Sequence, residues 1–247
     1  KVGIGTASPA KHLSVESTAA SNITIRSKGS YADGYRHGFE AVNAHTGGET
    51  WSIFSTNDAD GVFGGGKLVF GRGDASVVTA ARTGLTINNS MIVTTPHQPS
   101  FMWKGCSGTS CNTPGVNNSS IFVFGSEVFD TNNDCSSTRF TAPLAGVYHF
   151  DVHITHSGPG ANTETRYMSV TLKLNGTAKD EHSSLNAFEA VTDGWGSGNS
   201  YHVQNISTNI TMSGGDYVEL TVARSSSSDW SGGINSDRTR WSGYLIG

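Results

Sequence analysis

The chain has 247 residues, a formal net charge of -4, and only 35% hydrophobic and 15% charged residues. Its Lys and Arg residues are scattered, so no basic patch predicts a nucleic-acid partner. No stretch reaches the roughly 20 apolar residues of a membrane helix, and the first residues lack the charged-then-apolar layout of a signal peptide, so we expect no membrane insertion.

Residues 1–20 form a segment with isolated apolar residues, which begins KVGIGTASPAKHLSV. These apolar residues are too sparse to bury a core of their own. Such a segment needs a following domain or copies of itself to pack against. We therefore predict that residues 1–20 are a stalk or neck.

Residues 21–95 predict a small antiparallel β domain. Its short pieces alternate apolar and polar residues, and Gly or Asn/Asp turns separate them. The pieces are SNITIRS, ETWSIFS, GKLVFG and GLTINNSMIV. TTPHQPS follows, and its Pro96 and Pro99 extend the chain and end strand pairing. We place the domain boundary there.

Residues 96–247 predict the largest domain. Turn signals separate short strands throughout, and no segment keeps a helical period. The predicted strands are PSFMWKG, SSIFVFGSEVF, RFTAP, GVYHFDVHI, YMSVTLKLNG, NISTNITMS, DYVELTVA and RWSGYLIG. This all-β pattern is typical of a β-sandwich or a jelly roll.

Four of these stretches occur in an order that resembles a known family: RFTAPLAGVYHF, VTLKLNG, MSGGDYVELTV and RWSGYLIG. They resemble the signature strands of the globular head of complement component one-q, which shares the jelly roll of tumour necrosis factor. The resemblance covers residues 98–247 and departs from the pattern between Lys179 and Ser200. It implies a jelly-roll head that forms a homotrimer, with one sheet of each subunit packed around a threefold axis.

The start of the chain carries a second resemblance. VGIGT, a proline and Leu-x-Val are similar to a segment that is common in bacteriophage tail fibres and related bacterial surface proteins. The middle segment, with GFEAVNAHTGG and KLVFG, is similar to the small β domains of such fibres. Together the three parts resemble a fibre end with a stalk, an intermediate domain and a terminal head.

The strand GVYHFDVHI has two different faces. Its alternation predicts one face toward a core, formed by Tyr148, Phe150, Val152 and Ile154. The other face carries His149, Asp151 and His153. If that face meets the implied threefold axis, three copies would bring imidazoles and carboxylates together and could share a metal ion. The alternative is ordinary interface or solvent-facing residues. Apart from this ion we expect no cofactor.

The three cysteines are Cys106, Cys111 and Cys135, so at least one stays unpaired and no disulfide framework is expected. A bridge between Cys106 and Cys111 across SGTS is one interpretation, and buried or surface thiols are the other. A zinc site is disfavoured, because no second pair of cysteines has the CxxC spacing.

Aromatic residues in Gly/Ser-rich loops predict a receptor site. The loops TDGWGSGNSYH and SSSSDWSGGINSDRTR place aromatic rings where no strand pattern asks for a core residue. Sugars stack on such rings while polar side chains bind their hydroxyl groups. The predicted receptor-binding residues are Trp195, Asn199, Tyr201, Asp229, Trp230, Asn235, Asp237 and Arg238. The alternative is that each tryptophan covers an edge of the sandwich.

Three loops are expected at one end of this domain. The last predicted strand leads to the C-terminus, so the loop 224–239 before it lies at the opposite end. Antiparallel neighbours place the loops 155–166 and 192–202 at that same end. If the stalk joins near the C-terminus, as the resemblance implies, these loops form the tip, where a partner is most accessible.

No motif in the chain predicts an enzyme. Glycan hydrolysis needs two carboxylates about 5 to 9 Å apart, and the acidic residues form no recognisable pair. GxSxG, GxxxxGK[ST] and HExxH are absent from the sequence. The tripeptide Arg72-Gly73-Asp74 matches the integrin motif, but a turn after a strand explains it.

These observations predict a non-enzymatic, homotrimeric receptor-binding tip of a bacteriophage tail fibre. It would lie on the virion and recognise a host surface molecule, with a glycan favoured over a protein. Three identical tips would turn weak single sites into firm attachment. The alternatives are a secreted complement-like recognition or adhesion protein and a hydrolase of surface polysaccharide.

Overall fold

The computed structural model describes residues 2–4, 13–15, 36–42, 46–75, 78–107, 115–116, 120–157, 166–188, 201–224 and 233–246. The chain divides into two compact units, Lys1–Pro96 and His97–Gly247, which we call the small domain and the head. The described residues are mostly strands, and their only helical turns are the 3₁₀ turns Ala80–Arg82 and Ser236–Arg238. The predicted all-β class is confirmed. Within these ranges no helix is long and apolar enough to cross a membrane.

The small domain has one main sheet of five strands in sequential antiparallel order. They are β3 (Arg36–Val42), β4 (Thr50–Thr56), β5 (Leu68–Arg72), β6 (Thr83–Ile87) and β7 (Val93–Thr94). Before them, β1 (Val2–Ile4) and β2 (Leu13–Val15) pair in parallel. The predicted strand SNITIRS lies outside the described residues.

The alternation of apolar and polar residues does not predict β3, because Gly38 interrupts that alternation. The structure explains this glycine: a Cβ atom on Gly38 would lie 1.9 Å from the Ile53 carbonyl oxygen. The backbones of β3 and β4 therefore approach too closely for any side chain at this position.

One face of this sheet packs against its own connecting loops. Phe54 and Val69 of the sheet form a small buried cluster with Phe63 and Val78. We call this side the inner face. The cluster is small, and a buried ion pair supplements it.

The ion pair joins the first strand to a loop. Arg36 Nε lies 2.7 Å from the Asp60 carboxylate, and both side chains are largely buried. The same guanidinium donates to the carbonyl oxygens of Ala75 and Val78 at 2.6 and 2.7 Å. Because it satisfies both loop carbonyls, Arg36 fastens the loops over the inner face.

The described part of the head contains ten strands in two sheets. They are β8 (Ser100–Lys104), β9 (Gly115–Val116), β10 (Ser126–Asp130), β11 (Arg139–Thr141), β12 (Gly146–Ser157), β13 (Arg166–Leu174), β14 (Thr177–Phe188), β15 (Tyr201–Met212), β16 (Tyr217–Arg224) and β17 (Arg240–Leu245). One sheet has the order β10-β8-β17-β12-β15, and the other has the order β11-β16-β13-β14 with β9 beside β16.

This strand order is a jelly roll. After β8 in the first sheet, the chain adds the short strand β9 to the second sheet and β10 to the edge of the first. It then crosses to β11 in the second sheet, returns for β12, and crosses again for β13 and β14. It returns once more for β15, crosses for β16, and ends as β17 in the middle of the first sheet. Eight strands that wind between two packed sheets in this way make the predicted jelly-roll sandwich.

The two faces predicted for GVYHFDVHI are confirmed. Tyr148, Phe150 and Ile154 have no exposed surface, and Val152 is 2% exposed. The Phe150 ring packs near the rings of Phe101, Phe140 and Trp241, with centroids 5.6 to 6.5 Å apart. The core of the head is therefore an aromatic cluster between the two sheets.

Two strand predictions in the head need correction. SSIFVFGSEVF was predicted as one strand, but only its second half belongs to β10, and Ile121 makes an isolated bridge to Thr221. Phe122 and Phe124 are nevertheless buried, so their apolar pattern reports core packing and not strand pairing. The strand β14 lies in the region where the sequence departs from the pattern, and no strand was predicted over it.

Strand register defines two ends of the head. Ser100 pairs with Tyr244, and Gly146 pairs with Met212, so β8 begins where β17 ends. The Gln98 side chain also donates to the Leu245 carbonyl at 2.6 Å. We call this end the base, because the chain enters the head there beside its last strand.

The opposite end of the head is called the top. Ser157 pairs with Tyr201 there, so β12 ends where β15 begins. Arg166 pairs with Phe188 in the second sheet. Gln204 donates across the sandwich to the Met168 carbonyl at 2.6 Å, which brings the same ends of both sheets together.

Candidate functional site

The top of the head borders the loops that were predicted to bind a receptor. Segments 158–165, 189–200 and 225–232 follow or precede strand ends at the top and lie outside the described residues. Trp195, Asn199, Asp229 and Trp230 fall within them. Tyr201 begins β15, and its side chain is also outside what the structure describes.

The other predicted receptor residues lie in the 3₁₀ turn before β17. The Asn235 side chain accepts a hydrogen bond from the Arg238 backbone N–H at 3.1 Å. The Asn235 backbone N–H donates to the Thr155 carbonyl at 2.7 Å. Asn235 is therefore used to cap this turn and fasten it to β12, while Asp237 is exposed.

Asp237 lines a polar cleft of about 390 Å³ at the top of the head. The cleft is lined by Lys104, Gly105, Cys106, Ser107, Gly125, Ser126, Ser236 and Asp237. Three serines, one lysine and one aspartate thus line one concavity. Such a set donates and accepts hydrogen bonds, which suits a ligand rich in hydroxyl groups.

Two glycines allow this cleft to form. A Cβ atom on Gly105, whose φ is +69°, would lie 2.7 Å from Ser236 Oγ. A Cβ atom on Gly125 would lie 2.9 Å from the Cys106 carbonyl oxygen. A side chain at either position would therefore collide with a neighbouring part of the cleft wall, with the Ser236 hydroxyl at Gly105 and with the Cys106 backbone at Gly125.

Sequence reasoning missed the cleft except for Asp237. Lys104 and Ser126 end and begin strands that are neighbours in the sheet, and Gly125 donates to the Lys104 carbonyl at 3.2 Å. The only local signal is a glycine next to each, in KGC and FGSE. A glycine at a strand end is too common to identify a site.

The structure defines the state of two of the three cysteines. Cys106 takes part in a disulfide, and Cys111 lies outside the described residues. Cys135 is a free, buried thiol. Burial raises its pKa far above the ordinary value, and the charges of Asp130 and Glu127 raise it further. Cys135 is therefore a buried thiol that stays protonated at neutral pH.

The predicted metal residues lie on the outward face of β12. His149 faces Asn209 across the strand pair, with Nδ1 2.7 Å from the amide oxygen, and its Nε2 is 3.0 Å from Asp151. His153 makes the equivalent contact with Asn205 at 2.7 Å. The two imidazoles thus belong to a cross-strand ladder of polar side chains.

One chain does not assemble these residues into a metal site. No group of three ligating side chains that could hold an ion occurs among the described residues. Strand geometry separates His149 from His153 by about 13 Å along β12, so they cannot chelate one ion together. A shared ion would need the same residue from several chains, and it stays a prediction.

The Arg72-Gly73-Asp74 tripeptide is a turn at the end of β5. Gly73 has φ +113° and donates its N–H to the Thr50 carbonyl at 2.7 Å, while Ser52 Oγ donates to the Gly73 carbonyl at 2.5 Å. Arg72 is 3.6 Å from Glu49. The positive φ and these backbone bonds explain why a glycine occupies the turn.

Comparisons with known proteins add one structural similarity. No protein-family model matches the sequence, and no curated protein matches it. The globular domain of the zebrafish complement 1qA protein is similar in structure, with 15% sequence identity and a TM-score of 0.41. The similarity covers 61% of this chain and 98% of that one. The jelly-roll assignment comes from the strand order itself.

Proposed function

We propose that this protein is a non-enzymatic, homotrimeric recognition module whose ligand binds at the top of the head. The observation that carries the proposal is the polar cleft at the end opposite the base. Lys104, Ser126 and Asp237 converge there from three separate segments. Strand ends that border the three predicted loops lie at the same end, and we include those loops in the proposed binding surface.

The chemistry of this surface favours a glycan. Hydroxyl, ammonium and carboxylate groups bind sugar hydroxyls, and the predicted Trp195 and Trp230 would supply stacking faces. Single sites of this kind are weak, and three copies on one trimer raise the overall affinity. The proposal therefore includes the homotrimer that the sequence resemblance implies.

We place this module at the tip of a bacteriophage tail fibre that attaches to a bacterial surface. Support for this setting comes from VGIGT and the following Leu-x-Val in the sequence. Their apolar residues form the parallel pair β1–β2. A secreted complement-like protein would use the same top surface, so the two settings differ in the target that is bound.

Adsorption of the labelled protein to bacterial cells and to a glycan array tests the proposal. Asp237→Asn should reduce adsorption about tenfold or more, because a hydrogen bond to a charged group contributes about 1.5–3 kcal/mol. Glu127→Gln is the matched control, since it removes one exposed carboxylate outside the cleft. Replacing Trp195 and Trp230 by Ala should abolish adsorption, whereas Asp74→Ala should leave it unchanged.

Three results would contradict the proposal. Equal adsorption of Asp237→Asn and the unsubstituted protein would mean that the cleft does not take part in binding. Release of reducing sugar from a bound polysaccharide would establish a hydrolase. A mass of 26.0 kDa in light scattering at micromolar concentration would be that of one chain and would exclude the homotrimer.

A further inference from the structure

The small domain exposes an apolar sheet face that its own core does not use. Side chains alternate between the two faces of a β strand. In each strand of this sheet, the residues next to the inward-facing ones, such as Phe54 in β4 and Val69 in β5, therefore point away from the inner face. We call the opposite side the outer apolar face. It consists of Phe39, Ala41, Trp51, Ile53, Leu68, Phe70, Leu85, Ile87 and Val93.

The strand register makes the central part of this face continuous. Phe39 lies opposite Ile53, Ile53 lies opposite Phe70, and Phe70 lies opposite Leu85. Four large apolar residues therefore cross four strands in one row, at the spacing where cross-strand side chains touch.

Two shorter rows flank the central one. Leu68, Ile87 and Val93 pair across β5, β6 and β7 on one side. Ala41 and Trp51 pair across β3 and β4 on the other. The outer apolar face therefore reaches from the first strand of the sheet to the last.

The exposed area of this face is substantial. Phe39 and Trp51 are 52% and 53% exposed, and Ile53, Leu68 and Val93 are 42%, 38% and 53% exposed. A large aromatic side chain has about 150–250 Å² of surface, so these five residues leave on the order of 400 Å² of apolar surface in water. Apolar patches of this size are often functional.

The same area is too small to hold two chains together by itself. Stable interfaces bury about 800 Å² on each partner. The outer apolar face therefore fits a second contact between chains that another interface already holds at high local concentration.

The charge on this face favours an identical partner. The nine residues of this face are all uncharged. Arg72, which pairs with Trp51 at the end of β5, borders the face and lies 3.6 Å from Glu49. A charged partner would find no complementary group on the central row. A second copy presents the same uncharged apolar rows, which meet without leaving a charge unpaired.

We propose that the outer apolar face packs against the same face of other copies of this chain. The inference rests on the homotrimer in the proposed function, in which head contacts bring three small domains together. The face then adds a second contact and restricts how the small domains move relative to one another in the trimer.

Cysteine cross-linking in the full chain tests this proposal. Ile53→Cys places a thiol in the central row, and Ser90→Cys places one on an exposed turn of the same domain. With a short bismaleimide, Ile53→Cys should form covalent dimers at least about tenfold faster than Ser90→Cys, because contact raises the local thiol concentration. The unsubstituted chain measures the background from the native cysteines.

A second set of variants checks that the apolar rows cause the cross-link. Phe39→Thr and Trp51→Thr, added to Ile53→Cys, should lower its rate to that of Ser90→Cys. Both side chains are more than half exposed, and Thr suits strands, so the domain stays folded. A melting curve for each variant verifies this.

Light scattering on the same samples separates the two proposals. If the protein has the mass of a trimer but Ile53→Cys and Ser90→Cys cross-link at equal rates, the outer-face contact is overturned and the proposed homotrimer still stands. Rapid cross-linking of Ile53→Cys in a dimer supports the contact and overturns the trimer. Monomer mass without cross-links overturns both. Protection of the Ile53→Cys thiol from a monofunctional maleimide in a monomer would mean that the same chain covers the face, which also overturns the contact.

Discussion

The head and the small domain use their aromatic residues in opposite ways. In the head, Phe101, Phe150 and Trp241 are at most 1% exposed because two sheets face each other. In the small domain, Phe39 and Trp51 remain about half exposed on a sheet whose described loops pack against its inner face. A two-layer sandwich covers both of its apolar faces, whereas a single sheet leaves one for a partner.

The two units also differ in how their cores are fastened. The head relies on contiguous aromatic packing, which is insensitive to charge. The core cluster in the described part of the small domain has four residues. The domain also depends on the buried pair Arg36–Asp60, with the Arg36 guanidinium 5.1 Å from the centroids of Phe54 and Phe63. Substitutions and pH should therefore affect the two units separately, and unfolding should show two transitions.

The largest effect is expected from truncation of the aromatic core. Tyr148→Ala and Phe150→Ala should each lower the free energy of unfolding of the head by about 3–5 kcal/mol, the range for a buried aromatic side chain. Chemical denaturation followed by near-ultraviolet circular dichroism measures this. The transition of the small domain should not move. Val62→Ala, at a residue 51% exposed, should change stability by less than about 0.5 kcal/mol.

The ion pair of the small domain should come next. Arg36→Met removes the partner of a buried carboxylate and should cost the small domain about 3 kcal/mol. Arg72→Met is the matched control, because Arg72 and Glu49 form an exposed pair that contributes less than about 1 kcal/mol. Equal effects of the two substitutions in denaturation would contradict the role assigned to Arg36.

A single hydrogen bond in the head should have a smaller effect. The Tyr148 hydroxyl donates to the Leu144 carbonyl at 2.8 Å. Tyr148→Phe keeps the ring but removes this bond, which should cost about 1 kcal/mol. Tyr244→Phe removes an exposed hydroxyl and should leave the melting temperature of the head unchanged. If Tyr148→Phe lowered the free energy of unfolding as much as Tyr148→Ala, the hydrogen bond to Leu144 would contribute more than the packing of the ring.

The pH dependence should again separate the two units. Burial alone would raise the pKa of Asp60, but hydrogen bonds from Arg36 and the backbone N–H groups of Phe63 and Val62 hold it below the ordinary value. A carboxyl with a lowered pKa stabilises the fold above its ordinary pKa, and this contribution is lost as the pH falls through the folded value. The small domain should therefore lose stability below about pH 4.

Melting curves of the small domain between about pH 3 and 6 measure this effect. Asp60→Asn should flatten the dependence, although it also lowers stability at neutral pH. In the head, burial raises the pKa of Asp134. Its contribution to the stability of the head is therefore present at low pH and is lost as the pH rises through the folded pKa. If Asp60→Asn kept the full acid sensitivity of the small domain, another carboxyl would have to be responsible.

The alternation of apolar and polar residues predicted most of the head's strands, because a strand with one buried face has an apolar residue at every second position. GVYHFDVHI alternates so regularly that both of its faces were predicted correctly. The strand β14, with the sequence TAKDEHSSLNAF, leaves no such trace, because it is at the end of its sheet order and pairs with β13 alone. Conversely, Phe122 and Phe124 have an apolar pattern without a strand, since they fill the core from a loop.

The candidate site was less predictable than the fold. Asp237 was predicted from a loop rich in polar and aromatic residues, and the structure places it in the polar cleft. Lys104 and Ser126 were not predicted, since they are far from Asp237 in sequence and meet it only through the pairing of β8 with β10 and β17.

The sequence by itself determined the all-β class, the two faces of β12 and the burial of Tyr148 and Phe150. It could do so because side-chain alternation is a local property of an extended chain. Only the tertiary structure decided that the polar cleft forms at the top and that the outer apolar face is a continuous surface. Both depend on strand order and register, which join residues that are distant in sequence and have no local signature.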